Sequence, residues 1–156
     1  MVRFRVSGIP ESLARAVRTS LASPQYGHPA HVEVASGYGP CRLCLQTFRE
    51  GEEERILFTY QPVTDPKALP APGPVFIHRQ ECQRYDAFAF PDTLRHLPMA
   101  VDGYAGAGRL VRQVLAGEEP IEQVLDGVFT ASPVAYAHLR NGEAGCFIAR
   151  VERALD

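Results

Sequence analysis

Four cysteines and five histidines carry most of the nucleophilic and metal-binding chemistry open to this chain of 156 residues. Two of the cysteines form the pattern Cys41-Arg42-Leu43-Cys44. A Cys-x-x-Cys pair holds zinc or forms a redox dithiol when both thiols project from a knuckle turn or a helix N-terminus. Here the pair opens a segment, Cys41 to Phe48, that reads as alternating strand. Residues three apart on a strand point to opposite faces, so the pair is not expected to act as one site. His78 and Cys82 stand four apart near the end of another expected strand. Folding that brought Cys41 or Cys146 beside them would build a Cys/His metal site, but no spacing rule in the sequence requires it. Cys41, His78 and Cys82 are therefore candidate ligands, while no resident metal or other cofactor is expected.

The last hairpin offers a different chemistry. If its loop is residues 141–145, Arg140 faces Cys146 across the ladder and His138 faces Ile148. His138, Arg140 and Cys146 then share one face, with near neighbours roughly 5 Å apart at Cβ. A histidine that lowers a thiol's pKa, beside an arginine that holds an anion, is the arrangement of an activated nucleophile. Cys146 and His138 are accordingly the candidate catalytic pair. Arg140, His138, Tyr136 and Arg150 are the candidate ligand-binding residues. A one-residue slip in register would disperse the set.

The elements that must position these groups follow from periodicity. Val2 to Val6 and His31 to Val34 alternate as half-buried strands. Between them, Pro10 opens a helix whose apolar stripe is Leu13, Val17 and Leu21. Cys41–Phe48 and Arg55–Gln61 read as a hairpin turning through a Gly and a run of acids. The proline-rich stretch 62–74 reads as a surface loop. Val75 to Arg79 and the Met99–Val101 region are strands, and a short helical turn begins at Pro91. Leu110 to Leu115 fits strand or helix. Pro120 opens a second helix with Ile121, Val124, Leu125 and Val128 on one stripe. The glycines of Gly103 to Gly108 lack the lysine-serine of a phosphate loop and read as a plain connection. The expected fold is α+β: a mostly antiparallel, curved sheet of about seven strands, two main helices packed on one face, one domain over residues 1–156.

Composition narrows the function. A formal charge of −2 gives no net attraction for polyanions, so no nucleic acid and no membrane partner is expected. Of 16 basic residues only Lys67 is lysine, yet the arginines are scattered along the chain instead of clustered. No apolar run has the length of a signal peptide or membrane span, and cysteines without an export signal indicate a reducing, cytoplasmic setting.

With Gly39-Pro40-Cys41-Arg42, Gly73-Pro74-Val75-Phe76-Ile77-His78 and His138-Leu139-Arg140-Asn141 followed by Gly145-Cys146 in order, the chain resembles the small bacterial family catalogued as domain of unknown function 1203. The resemblance implies a stand-alone bacterial protein and brings no activity, cofactor or catalytic residue with it. Position 44 varies in that family pattern, which counts further against the Cys-x-x-Cys pair. The reading that results is a non-catalytic binding module for a small anionic ligand or a protein partner. The alternative is a thiol-dependent enzyme or a Cys/His metal site.

Overall fold

A computed structural model describes residues 3–37, 39–62, 71–130 and 133–154. The chain opens with strand β1 (Phe4–Ser7) and helix α1 (Glu11–Ser20), whose Ala14 and Val17 are fully buried. Pro10 precedes the helix, where its missing N–H costs nothing, and Leu21 closes it in the left-handed conformation at φ 50°. Strand β2 (His31–Val34) pairs antiparallel with β3 (Glu54–Tyr60), and β3 pairs in turn with β4 (Gly73–His78). Residues 41–48 are therefore no strand. They form a turn followed by irregular backbone, and β2 occupies the position beside β3 that the expected hairpin gave them.

The remaining strands are β5 (Asp86–Ala87), β6 (Met99–Tyr104), β7 (Leu110–Leu115), β8 (Tyr136–Asn141) and β9 (Phe147–Arg153). With β1 they make a six-stranded sheet in the order β5-β1-β9-β8-β6-β7, beside the three-stranded sheet β2-β3-β4. Every pairing is antiparallel. Helix α2 (Ile121–Thr130) follows Pro120 and buries Val124, Leu125, Val128 and Phe129. The fold is α+β and mostly sheet.

Each helix has its own apolar core. Helix α2 packs with Val101, Leu139, Ala149 and Val151 of the large sheet. Helix α1 packs with Ile56, Phe58, Val75 and Ile77 of the small sheet and with Cys41, Leu43 and Cys44. Burying one large apolar side chain stabilises by about 1.5–3 kcal/mol, so both clusters contribute substantially. The chain crosses between them at short intervals: Leu43 belongs to one cluster and Leu45 to the other, as do Phe147 and Ile148. The turn at residues 41–45 thus lies where the two cores meet. Most of the expected proline-rich loop falls outside the described residues. Its end, Gly73-Pro74, belongs to β4, an edge strand of the small sheet, where a missing N–H is tolerated.

Candidate metal centre

Cys41 and Cys44 project from one tight turn. The Leu45 amide donates to the Cys41 carbonyl at 2.8 Å and the Cys41 amide donates to the Gln46 carbonyl at 2.9 Å. Residues 42–44 are turn and not pleated backbone, so both thiols point the same way, and the chain leaves the turn through Leu45 at φ 60°. Neighbouring backbone holds the turn on several sides. The Arg42 amide donates to Phe76 O, the Ile9 amide to Arg42 O and the Tyr85 amide to Leu43 O, each at 2.9 Å. The Thr93 hydroxyl donates to Leu45 O at 2.7 Å. Gly8 lies so close that a Cβ there would meet Leu43 O at 2.2 Å and Arg42 O at 2.6 Å.

Into this turn come His78, the last residue of β4, and Cys82, four residues further on. The Cys41, Cys44 and Cys82 sulfurs and one His78 ring nitrogen all lie within 4.8 Å of one another. Cys41 Sγ is 3.8 Å from Cys82 Sγ, and Cys44 Sγ is 3.4 Å from His78 Nδ1. The expectation that strand geometry would separate Cys41 from Cys44 is overturned, because the turn converges what a pleat would have splayed.

The surroundings favour thiolate. The His78 amide donates to Cys41 Sγ at 3.3 Å, and Arg18 Nη2 donates to Cys82 Sγ at 3.3 Å while its Nε donates to His78 O at 3.0 Å. Burial alone would push the Cys41 thiol up. Hydrogen bonds from Cys44, Cys82 and backbone outweigh it and bring the group down to about 3. Its bonds to Cys41 and Cys82, together with burial, push the Cys44 thiol the other way, up. His78 turns Nδ1 to the sulfurs and Nε2 to Glu53, whose carboxylate lies 3.3 Å away. Phe48 packs on the imidazole with ring centres 4.5 Å apart. A carboxylate on the far nitrogen fixes the ring and makes the near nitrogen a better donor to a cation. Sequence reasoning missed Glu53, read as part of a solvated run, and also Arg18 and Phe48. No local signal joins those three to His78.

The last hairpin is built differently. The turn closes on Asn141, whose amide donates to the Cys146 carbonyl at 2.8 Å, so Arg140 faces Phe147, and a bulge between Leu139 and Arg140 adds a second shift that sets His138 opposite Arg150. The expected pairs Arg140–Cys146 and His138–Ile148 do not form, and Cys146 precedes β9. His138 is 1% exposed, between Tyr104, Tyr136 and Phe147 at ring distances of 4.8, 5.5 and 5.2 Å. Its Nδ1 has no partner, and no hydrogen bond joins it to Cys146 among the described residues. Burial, reinforced by Arg150, lowers His138 to about 4, so it is neutral at pH 7. Arg140 grips the buried Asp102 through Nε and Nη2, while Arg150 bonds Glu152 at 2.8 Å and lies over the Tyr136 ring. The one signal for Asp102 was an acid inside an otherwise apolar strand.

Fold and cluster together define a mostly antiparallel α+β protein with a Cys3His group clasped between a turn and the end of a strand. A family model described as a protein of unknown function (DUF1203) matches residues 38–153, and the chain belongs to that family. All four residues of the cluster lie inside the matched span. No curated protein and no solved structure matches the chain. No helix among the described residues is long and apolar enough to cross a membrane.

Proposed function

We propose that this protein holds one zinc ion through Cys41, Cys44, His78 and Cys82, and that the ion fastens the turn at 41–45 to the end of β4. The observation that carries the reading is the convergence of three sulfurs and one imidazole nitrogen within 4.8 Å. A tetrahedral ion with Zn–S of about 2.3 Å and Zn–N of about 2.1 Å has S···S edges of about 3.8 Å and S···N edges of about 3.6 Å. The distances of 3.8 Å between Cys41 and Cys82 and 3.4 Å between Cys44 and His78 agree with such edges. Soft thiolates with one imidazole select zinc over magnesium or calcium. Zinc with three thiolates would carry a net charge of −1, which Arg18 on Cys82 offsets.

Four protein ligands leave no open position for water or substrate, which supports a structural role in place of a hydrolytic one. The 3.8 Å between the Cys41 and Cys82 sulfurs is far from the usual disulfide length of about 2.05 Å. All four cysteines are free thiols, in keeping with a reducing, cytoplasmic setting. The other reading, a module receiving a small anion or protein at Arg140, His138, Tyr136 and Arg150, has less support. Arg140 and Arg150 already face Asp102 and Glu152, and His138 is sealed beneath aromatic rings. A thiol enzyme using Cys146 and His138 lacks the contact it needs.

Elemental analysis of chain purified without chelators tests the reading. One zinc per chain, lost in Cys82→Ser and retained in Cys146→Ser, is the expected result. Metal-free protein from zinc-supplemented medium, with four freely titrating thiols, would overturn it.

A further inference from the structure

Arg42 lies between the two cysteines of the turn and is 6% exposed. Its Nε donates to the Phe147 carbonyl at 2.6 Å and its Nη1 to the Pro40 carbonyl. Both partners are neutral, and among the described residues no carboxylate forms an ion pair with it. A guanidinium is protonated at neutral pH in any protein setting. The Cys146 and Cys41 sulfurs lie near enough to act on its charge, but no carboxylate or phosphate meets it among the described residues, and a planar guanidinium pairs best with one of those.

Arg42 lines a cavity of about 470 Å³ between the small sheet and the tip of the β8–β9 hairpin. Arg55 lines the same cavity from β3. Its Nη2 is 3.1 Å from Glu33 Oε1, and its guanidinium lies 3.8 Å over the Phe76 ring. Leu57, Phe76 and Pro98 supply an apolar wall, and Asn141 adds an amide. Glu143 also lines the cavity but is exposed at the hairpin tip. Beyond Cys146 an adjoining hollow of about 330 Å³ brings in Arg140.

We propose that this cavity binds a small organic anion, a carboxylate or phosphate monoester with an apolar body, whose charged end meets Arg42 and Arg55 and whose body lies against Phe76 and Leu57. The site is distinct from the hairpin face read from the sequence, since it uses the one buried arginine left without an acid among the described residues. It shares the turn with the metal centre but does not depend on the metal, because Arg42 is held by carbonyls of Pro40 and Phe147.

Phenyl phosphate, benzoate and phenol, titrated into isotope-labelled full-length chain, separate charge from apolar contact. Phenyl phosphate or benzoate should saturate with a dissociation constant on the order of 1 mM. The shifts should fall on the Arg42 and Arg55 side-chain Nε–H signals and on the Asn141 and Cys146 amides, and phenol should not reproduce them. Arg42→Gln and Arg55→Gln should each weaken binding tenfold or more, and Arg55→Gln answers the question if Arg42→Gln fails to fold. Phenyl phosphate and benzoate shifts that do not saturate, that fall outside the cavity, or that phenol matches would overturn the proposal. Inorganic phosphate binding as tightly as phenyl phosphate would remove the apolar half of it. A chain that binds phenyl phosphate yet carries no zinc would sink the metal reading and leave this one standing.

Discussion

At residues 41–44 a tight turn delivers two thiols to a histidine 34 residues beyond Cys44, whereas the β8–β9 hairpin holds a thiol and a histidine only eight residues apart and keeps them unbonded. The turn converges because residues 42–44 leave the pleat, and its carbonyls and amides are taken by four other segments. The hairpin disperses because a ladder fixes each side chain to its own face and a single bulge reassigns every partner beyond it. A chelating site needs lone pairs aimed at one point, which loops achieve and pleats resist. Closeness in the chain is a poor guide to either.

The most severe way to break the contrast is to remove a ligand. Cys41→Ser should lose the metal and on the order of 5 kcal/mol of stability, lowering the melting temperature by roughly 10–20 °C. Calorimetry with and without a zinc chelator measures this, and the chelator should reproduce the effect in wild type but add nothing in the variant. Gly8→Ala attacks the same turn from outside. Its Cβ cannot fit 2.2 Å from Leu43 O, so the turn must move, at a cost of about 3 kcal/mol and with weaker zinc retention in a competition with a chromophoric chelator.

On the hairpin the expected effect is one of pH. His138 titrates at about 4 when folded, against an ordinary 6.5. Between those values the unfolded chain binds more protons, so stability falls as pH drops from 6.5 to 4, by about 3 kcal/mol in all. Asp102, Arg140 and Arg150 are the charged groups that act on it, and Asp102 alone opposes the loss. Denaturant melts at pH 7, 5.5 and 4 should show this slope, and His138→Phe should flatten it. A variant with the wild-type slope would mean that the buried imidazole is not its source.

Smaller effects sharpen the comparison further. Glu53→Ala leaves all four ligands in place but frees His78 Nε2, and zinc affinity should fall about tenfold or more without loss of fold. Cys146→Ser, at the half-buried thiol outside the cluster, should change stability by no more than about 0.5 kcal/mol and leave the metal content alone. Should Cys146→Ser cost as much as Cys41→Ser, the division between the two regions would be wrong.

Most elements were legible in the sequence because their signal is local. His31–Val34 alternates cleanly, and Ile121 to Val128 repeats at helical spacing behind Pro120. The exception among them is instructive. Cys41 to Phe48 reads as a strand only if Leu43-Cys44-Leu45 is passed over, since alternation holds for Cys41-Arg42-Leu43 alone. A turn wedged between two cores buries residues on both sides, which that apolar run signals, and the error carried directly into the chemistry. His78 and Cys82 were visible as a pair, with Cys41 or Cys146 as the partner for folding to bring, and folding brings Cys41. The fourth ligand was rejected for geometric reasons that held only on pleated backbone. Glu53 and Arg18 were beyond reach, since their roles exist only once β4 is docked on the turn and α1 on both. The hairpin register failed for a similar reason, because nothing in Asn141 to Cys146 shows that the turn closes on that pair and nothing in Leu139-Arg140 announces a bulge.

X-ray absorption at the zinc edge of the purified full-length protein tests the central claim most directly. The account predicts a four-coordinate ion with three sulfurs at about 2.3 Å and one nitrogen at about 2.1 Å. A shell of oxygen and nitrogen alone, or no zinc edge from protein expressed with zinc, would contradict it.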